Sequence, residues 1–263
     1  MNTEELKKIT LSLISTFNVA GDIALKIRTT GLKKKIKSDN TPVSNGDIEV
    51  DKILTEKISS ITPNIPIVSE ENISHKNDKN LKDFWLIDPI DGTREYINNR
   101  DEFTLNAALI INKKPAIGII TAPAKKRIFY SYGMSNSYEL NGNHEINLIN
   151  KKKVSKEIKA VTYSDKLRPD IAEIHKKYNI NSFQKMKSSI KFCVIAAGEF
   201  DLYAAEPRAS EWDIAAGHAI LVHAGGEVTD FEGNDIYYGK PGFKNPSIIL
   251  KNKNILWWMS RLG

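Results

Sequence analysis

This sequence of 263 residues contains one cysteine, Cys193, so no intramolecular disulfide bond can form. A chain without disulfides suits a reducing compartment. No apolar run is long enough to span a bilayer, and charged residues interrupt the apolar stripe at the N-terminus, unlike that of a signal peptide. We therefore expect a cytoplasmic protein, with peripheral association with the inner membrane left open. Cys193 lies in an apolar run and is expected to be a small buried side chain.

Several common functional motifs are also missing. The five histidines lack the spacing of a zinc site, and no phosphate-binding loop, dinucleotide-binding motif or serine-hydrolase motif is present. The net charge of +6 favours anionic partners, but the lysines are scattered and no basic stripe with interleaved aromatic residues predicts nucleic-acid binding. The two dense lysine runs, 33–35 and 151–153, are expected to be solvated.

The first part of the chain predicts two amphipathic helices and a series of strands. Apolar residues recur at helical spacing over residues 6–27 and again over 50–58. Single strands are expected at 65–68 and 85–87, and two hairpins are expected further along. The hairpins comprise 103–111 with 116–122, and 127–132 with 137–140. The polar residues 72–80 are expected to form an exposed, mobile loop.

The second part of the chain alternates strands with helices. Strands are expected at 160–163, 202–204 and 227–230, and helices at 170–178, 190–197 and 212–224. The alternation predicts a layered α/β or α+β chain. We place a domain boundary at the lysine run, which gives an N-terminal half, 1–150, and a C-terminal half, 151–263.

Residues 88–93 (DPIDGT) form the most informative segment. Two carboxylates, Asp88 and Asp91, follow the apolar run 85–87 at the point where a buried strand is expected to end. Gly92 permits a tight turn, and Thr93 is a suitable cap for a helix whose N–H groups would face an anion. Such a segment offers oxygen ligands for a cation beside a phosphate-binding turn. An ordinary turn followed by a helix cap explains the same residues equally well.

Acidic residues elsewhere in the chain decide between these interpretations. Glu70 follows one predicted strand, Asp88 and Asp91 follow another, and Asp213 opens a predicted helix. Taken singly, Asp213 is more simply a first-turn helix acid, and Glu70 a surface loop acid. Hard divalent cations prefer carboxylate and carbonyl oxygens. Four acids at the ends of elements therefore favour a metal site, because their joint placement is harder to explain by chance.

Three segments together resemble the inositol monophosphatase superfamily of lithium-sensitive, Mg²⁺-dependent phosphatases. They are 69–71 (SEE), 88–93 (DPIDGT) and 212–217 (WDIAAG), and they occur in the order that the superfamily has. Within it the chain is most similar to bacterial 3′(2′),5′-bisphosphate nucleotidases of the CysQ type. Further segments carry that similarity: 37–44, 92–97, 102–109, 188–193, 211–213 and 217–221. The resemblance implies a layered αβαβα sandwich in which helix and sheet layers alternate.

The resemblance implies a site that holds two or three Mg²⁺ ions. One ion would be bound by Glu70, Asp88 and the backbone carbonyl of Ile90. A second would be bound by Asp88, Asp91 and Asp213, with Asp88 bridging the two. Four of these five ligands lie in the N-terminal half, and the C-terminal half would supply Asp213.

The resemblance also implies roles for residues around the substrate. Gly92 and Thr93 would receive the phosphate, and Asp47 would accept a hydrogen bond from Thr93 so that Glu70 and Thr93 orient the attacking water. The full set of expected substrate contacts is Asp91, Gly92, Thr93, Ser188, Ser189 and Asp213, with Lys37, Lys187 and Glu211 as further candidates. Lys187 departs from the family, which often has glycine there.

The expected activity is Mg²⁺-dependent hydrolysis of the 3′-phosphate of adenosine 3′,5′-bisphosphate to AMP and phosphate. Two alternatives stay open: a phosphatase for inositol 1-phosphate or another sugar phosphate, and a catalytically silent regulator that binds metal or nucleotide. The expected partner is a small phosphorylated molecule, with no nucleic acid and no transmembrane segment, and with a homodimer as the oligomeric state that the resemblance allows.

Overall fold

A computed structural model of the protein describes residues 1–37, 40–72, 81–142, 144–150 and 157–255. Two features that the sequence predicts fall outside these ranges: most of the mobile loop, at 73–80, and the second lysine run, at 151–153. The domain boundary placed there therefore stays a prediction. No helix in the described ranges is long and apolar enough to cross a membrane.

The described ranges include six α-helices. The first begins at a capping box, in which the Asn2 side chain accepts from the Glu5 N–H and the Glu5 side chain accepts from the Asn2 N–H. The helices are α1 Thr3–Thr30, α2 Asn45–Ile61, α3 Thr93–Ile97, α4 Pro169–Lys177, α5 Ile190–Ala196 and α6 Glu211–His223.

The described strands form two sheets and a separate hairpin. A seven-stranded sheet has the order β3-β4-β5-β6-β7-β8-β9, a five-stranded sheet has the order β11-β10-β12-β14-β13, and β1 pairs with β2. Their bounds are β1 Lys34–Ile36, β2 Pro42–Ser44, β3 Ile67–Ser69, β4 Phe84–Asp91, β5 Thr104–Ile111, β6 Lys114–Ala122, β7 Arg127–Ser131, β8 Ser137–Asn141, β9 His144–Asn147, β10 Lys159–Thr162, β11 Ser182–Lys185, β12 Leu202–Ala205, β13 Glu227–Thr229 and β14 Ile248–Lys251.

Helices and sheets alternate in five layers, which confirms the predicted αβαβα sandwich. Helices α1 and α2 pack on one face of the seven-stranded sheet, in a core that includes Phe17 and Trp85. Helices α5 and α6 fill the space between the two sheets, where Leu86 and Ile220 share a second core. Helix α4 covers the outer face of the five-stranded sheet through Ile171. Side chains of β4 alternate between the first two cores, as strand geometry requires.

Strand β4 differs from the prediction in its length. It continues through Asp88, Pro89 and Ile90 to Asp91, whereas the sequence suggested an end at Ile87. Its pairing with β5 is irregular between Asp88 and Asp91, and an irregularity of this kind accommodates a proline that cannot donate a ladder hydrogen bond. Both aspartates are therefore held by the sheet instead of by a free turn.

Helix α6 lies unusually close to the seven-stranded sheet at Gly118 of β6. A Cβ atom at residue 118 would come within 2.3 Å of the Ala216 carbonyl oxygen and 2.8 Å of the Ala219 Cβ. Such distances are far inside van der Waals contact, so only glycine fits between this strand and this helix. The contact fixes the position of α6, whose first turn carries Asp213.

Candidate active site

The four predicted acidic ligands come together at one end of the seven-stranded sheet. Glu70 directly follows β3, and its N–H donates to the Ile87 carbonyl of the neighbouring β4 at 3.1 Å. Asp88 and Asp91 are on β4, and Asp213 enters from the first turn of α6. Burial raises the pKa of Asp88, and the charges of Glu70, Asp91 and Asp213 raise it further. The acids therefore share one electrostatic environment.

Asp88 is at the centre of this cluster. Its side chain is buried, with 1% of the residue exposed, and its Oδ1 has no hydrogen-bond partner among the described residues. A buried carboxylate without compensation is costly, and burial together with neighbouring acids raises its pKa well above the ordinary value. A cation beside Oδ1 would remove both penalties, so this atom fits a metal ligand.

Asp213 is held by the helix that it begins. Its Oδ2 accepts a hydrogen bond from the Ser210 N–H at 2.7 Å, which completes a capping box. Burial raises the pKa of Asp213 to about 7, and Asp91 and Glu70 contribute in the same direction. The first-turn acid that the sequence also suggested is thus present, and its carboxyl group also contacts Asp88 in the cluster.

Asp91 lies near a second buried charge, the ammonium group of Lys191. Burial raises the pKa of Asp91, while Lys191 and hydrogen bonds from Ser189 act in the opposite direction. Lys191 is itself buried, with 6% of the residue exposed, and burial lowers its pKa to about 8 although Asp91 raises it. The sequence did not indicate Lys191, although it lies three residues after Ser188 in the segment 188–193 that carries the resemblance.

The donor set fits a hard divalent cation. Every candidate ligand offers oxygen, and the Ile90 carbonyl keeps one lone pair after accepting from the Thr93 hydroxyl at 3.0 Å. Across the described ranges, no three His, Cys, Asp or Glu side chains already form a closed coordination group. Ion binding therefore requires side-chain adjustment, as mutual repulsion among four carboxylates would lead us to expect.

Asp47 and Thr93 meet although 46 residues separate them. Asp47 is in the first turn of α2, where its Oδ2 accepts from the Ser44 N–H at 2.8 Å and from the Ser44 hydroxyl at 2.6 Å. Its Oδ1 is 3.2 Å from the Thr93 hydroxyl. Burial raises the pKa of Asp47, and the Ser44 hydrogen bonds lower it. The pairing that the resemblance implies is thus geometrically present.

Gly92, and not Thr93, is the cap of α3. Gly92 has a φ of 90°, and a Cβ there would be 2.8 Å from the Glu102 carbonyl oxygen. Thr93 is the first helical residue, and its side chain makes no cap hydrogen bond. The predicted capping role of Thr93 is therefore wrong, because its hydroxyl is directed towards Asp47 and the Ile90 carbonyl instead.

Lys37 reaches the cluster from the β1–β2 hairpin. Its Nζ lies 3.3 Å from Glu70 Oε1 and 2.6 Å from Glu71 Oε1. Burial lowers the pKa of Lys37, but the two glutamates outweigh this effect and leave it raised. This ammonium group neutralises the outer side of the acidic cluster, beside the position predicted for the first ion.

The two predicted serines take different positions. Ser189 Oγ lies 2.8 Å from Asn106 Oδ1 and 2.7 Å from Thr104 Oγ1, so its hydroxyl is engaged with β5. Ser188 has a φ of 55° and lines a cavity together with Asp91 and Asp213. Of these two serines, Ser188 lines the cavity and Ser189 is hydrogen-bonded to Asp91.

Glu211 is a structural residue in this fold. It is fully buried, and its two oxygens accept from the Gly239 N–H at 2.7 Å and the Lys240 N–H at 3.0 Å. The Lys240 ammonium group also lies 2.6 Å from Oε1. These contacts correct the suggestion that Glu211 faces substrate, because both carboxylate oxygens are used to hold the 239–240 loop.

A cavity of about 120 Å³ opens beside Asp91 and Asp213. Tyr163, Tyr203 and Arg208 also line it, and none of these three was identified from the sequence. Tyr163 follows β10, while Arg208 comes after β12. The cavity thus lies at the carboxyl ends of two parallel strands, where α/β sheets commonly bind ligands. Only knowledge of the strand order could have indicated these residues.

Comparisons with known proteins show the family of this chain. The family model described as the inositol monophosphatase family matches residues 5–257. The 3′(2′),5′-bisphosphate nucleotidase CysQ of Salmonella typhimurium is 34% identical over 213 residues, which cover 80% of this chain and 85% of that protein. CysQ of Haemophilus influenzae is 30% identical over 240 residues, with 86% of each chain covered.

Solved structures show the same fold. CysQ from Bacteroides thetaiotaomicron, described as a bacterial member of the inositol monophosphatase family, superposes with a TM-score of 0.73 at 29% identity and covers 96% of this chain and 97% of its own. The Thermotoga maritima IMPase has a TM-score of 0.72 at 23% identity, with 94% of this chain and 93% of that chain covered. The second similarity supports the fold alone.

Proposed function

Because the chain belongs to the inositol monophosphatase family and is a phosphoric monoester hydrolase, we propose that it removes the 3′-phosphate from adenosine 3′,5′-bisphosphate, with Mg²⁺ as cofactor. The observation that carries the proposal is the buried acidic cluster around the unpartnered Asp88 Oδ1, next to a cavity with basic residues. The names of the bisphosphate nucleotidases at 30–34% identity support the choice of substrate.

A divalent metal cofactor is a property that the family and its CysQ members imply. The residues that would hold it are Glu70, Asp88, Asp91, Asp213 and the Ile90 carbonyl. When bound, two such ions lower the pKa of a water and neutralise charge on the phosphate. The number of ions, two or three, is part of the proposal, as is the identity of the metal.

The protein residues supply orientation. Thr93 Oγ1 has one proton, which goes to Asp47 or to the Ile90 carbonyl. Its lone pairs therefore remain available to accept a hydrogen bond from a water molecule. Burial of Asp47, with 1% of the residue exposed, fixes this arrangement because the carboxylate has little freedom to rotate towards solvent. The pair thus places a water beside the phosphate without forming a covalent intermediate.

Phosphate binding is assigned to the turn at Gly92 and Thr93. The first N–H groups of any helix lack acceptors within the helix, and α3 presents them beside Asp91. Helix α3 has only five residues, so its dipole is small and the N–H groups themselves supply the attraction.

A side-by-side assay tests the substrate. Phosphate release is measured from adenosine 3′,5′-bisphosphate, inositol 1-phosphate and fructose 1,6-bisphosphate, each with Mg²⁺ and with EDTA. We expect the highest kcat/KM for the nucleotide and no release in EDTA. A preference for inositol phosphate would contradict the proposed substrate and keep the reaction, whereas no release from any compound would favour a silent binding protein.

A further inference from the structure

A group of three side chains beside the cavity, here called the cationic rim, is not used by the proposed reaction. It consists of Lys187, Tyr163 and Arg208. The Lys187 Nζ is 3.2 Å from the centre of the Tyr163 ring, and the Arg208 Cζ is 3.3 Å from the same centre. An ammonium and a guanidinium group that were both this close to the centre of one face would overlap. The two cations therefore lie on opposite faces of the Tyr163 ring.

The rim is an arrangement of like charges with no carboxylate between them. Among the salt bridges of the described residues, none involves Lys187 or Arg208. Glu102 accepts from the Lys187 backbone N–H at 3.1 Å, and Glu206 lines the same cavity as Arg208. The two cations repel each other across the ring, and an anion that contacts both of them at the edge of the ring would relieve that repulsion.

The two cations lower the pKa of the Tyr163 hydroxyl. Burial raises the pKa of Tyr163, but Arg208 and Lys187 more than offset it, and the pKa lies below its usual value. The ring itself is not available as a stacking surface, because a cation covers each face. A nucleobase therefore has no aromatic platform here, and the chemistry of the rim suits a phosphate group, which arginine binds with two parallel N–H donors.

Two members of the cationic rim line the cavity that reaches the acidic cluster. Tyr163 and Arg208 line the same cavity as Asp91, Asp213 and the buried Lys191. A molecule that places one phosphate at the acidic cluster can therefore place a second anionic group near the rim. Singly phosphorylated molecules lack the second anionic group, so the rim does not increase their affinity.

We propose that Lys187 and Arg208, stacked on the two faces of Tyr163, bind the phosphate that is not hydrolysed and so select doubly over singly phosphorylated nucleotides. This inference rests on the proposed function, because it requires a bisphosphate substrate. It also gives a role to Lys187, which stands where related proteins often have glycine and which is held by its hydrogen bond to the Tyr163 carbonyl at 2.8 Å.

Two substrates that differ by one phosphate provide the test: adenosine 3′,5′-bisphosphate and adenosine 3′-monophosphate. We expect Arg208→Ala and Lys187→Gly each to raise KM for the bisphosphate about tenfold, which corresponds to about 1.4 kcal/mol. KM for the monophosphate should change by less than about twofold, since a surface change outside the contact is small. The matched control is Lys185→Ala. This variant removes an exposed lysine that lies two residues before Lys187 and is paired with Asp165, and it should leave both KM values unchanged.

Binding without turnover gives a second measurement. Adenosine 5′-monophosphate carries only the phosphate assigned to the rim, and its Kd is measured by calorimetry in EDTA. We expect about tenfold weaker binding to Arg208→Ala, and an intermediate Kd for Arg208→Lys, which keeps the charge but loses the planar fork. Thermal melting of each variant shows whether it is folded.

The outcomes separate the two proposals. Equal changes in KM for both substrates, or no change for either, would overturn the rim as the site of selection. If the unaltered protein hydrolyses neither nucleotide, the proposed substrate is wrong, and the Kd of adenosine 5′-monophosphate still decides whether the rim binds phosphate. Unaltered binding by Arg208→Ala in that experiment would overturn the inference by itself.

Discussion

Replacing Asp213 by asparagine should stabilise the metal-free protein while removing its response to Mg²⁺. In the absence of a cation, ionised Asp213 is repelled by Asp91 and Glu70 in a buried cluster. Asparagine has nearly the same shape and has no charge. Its side-chain oxygen can still accept from the Ser210 N–H, so the cap of α6 is kept.

The size of the effect follows from the pKa. Burial and neighbouring acids raise the pKa of Asp213 from 3.8 to about 7, and each unit is worth about 1.36 kcal/mol. The upper limit is therefore about 4 kcal/mol, and because the neighbouring carboxylates share the same protons, we expect about 2 kcal/mol. Because the pKa is higher in the folded state, the folded state holds the Asp213 proton more tightly than the unfolded state does. The stability associated with this proton is complete below pH 4 and is lost as pH rises through 7. The advantage of Asp213→Asn should grow over the same range.

Urea denaturation in EDTA at pH 5 and pH 8 measures this difference. The free energy of unfolding of the variant is compared with that of the unaltered protein at each pH, so that contributions of other titrating groups cancel. Asp235→Asn is the control, because Asp235 is an exposed partner of Lys114 at 3.5 Å and should change stability by less than about 0.5 kcal/mol. Added Mg²⁺ should then stabilise the unaltered protein far more than Asp213→Asn.

Two results would refute this reasoning. The first is a metal-free Asp213→Asn protein that is no more stable than the unaltered chain at pH 8. The second is an advantage that is the same at pH 5 and pH 8, because a difference that ignores pH does not come from ionisation of this carboxylate.

Three other substitutions test the remaining assignments. Asp91→Asn should abolish Mg²⁺-dependent turnover with an unchanged circular dichroism spectrum; near-normal turnover would contradict the assignment of the site. Gly118→Ala should lower the free energy of unfolding by about 1–3 kcal/mol through overpacking against α6, whereas Gly31→Ala, which meets no atom within 4 Å, should be nearly neutral. Glu211→Gln should lower the melting temperature, because the glutamine amide would place an N–H donor against one of the backbone N–H groups of Gly239 and Lys240, while KM stays unchanged; a raised KM would restore Glu211 as a substrate contact.

The sequence predicted those parts of the fold in which apolar periodicity is strong. Helix α1, helix α6 and the hairpin of β5 with β6 lie within a few residues of their expected bounds. The missed strands are short or exposed: residues of β1 and β11 are exposed throughout, so no apolar pattern marks them. Strand β14 is buried, and its apolar run near the C-terminus could have indicated it.

The sequence indicated the acids of the candidate site together with Lys37 and Lys187, but it did not indicate Lys191, Tyr163 or Arg208. Motif spacing led to Asp88, Asp91 and Asp213, because oxygen ligands at the ends of elements are a recognisable pattern. Arg208 and Tyr163 belong to no such sequence pattern, because only the parallel pairing of β10 with β12 brings them together. Lone basic and aromatic residues occur throughout any chain, and their proximity depends on tertiary structure.

The close approach of α6 to β6 has a consequence for the choice of ion. Asp88 belongs to a sheet and Asp213 to a helix, so the distance between their carboxyl groups depends on how closely α6 packs on the sheet. That packing distance is limited at Gly118, which leaves no side chain between strand and helix. Mg²⁺ demands shorter and more regular oxygen distances than Ca²⁺. A single methyl group in the core would therefore widen the opening between the donors and shift preference towards the larger cation.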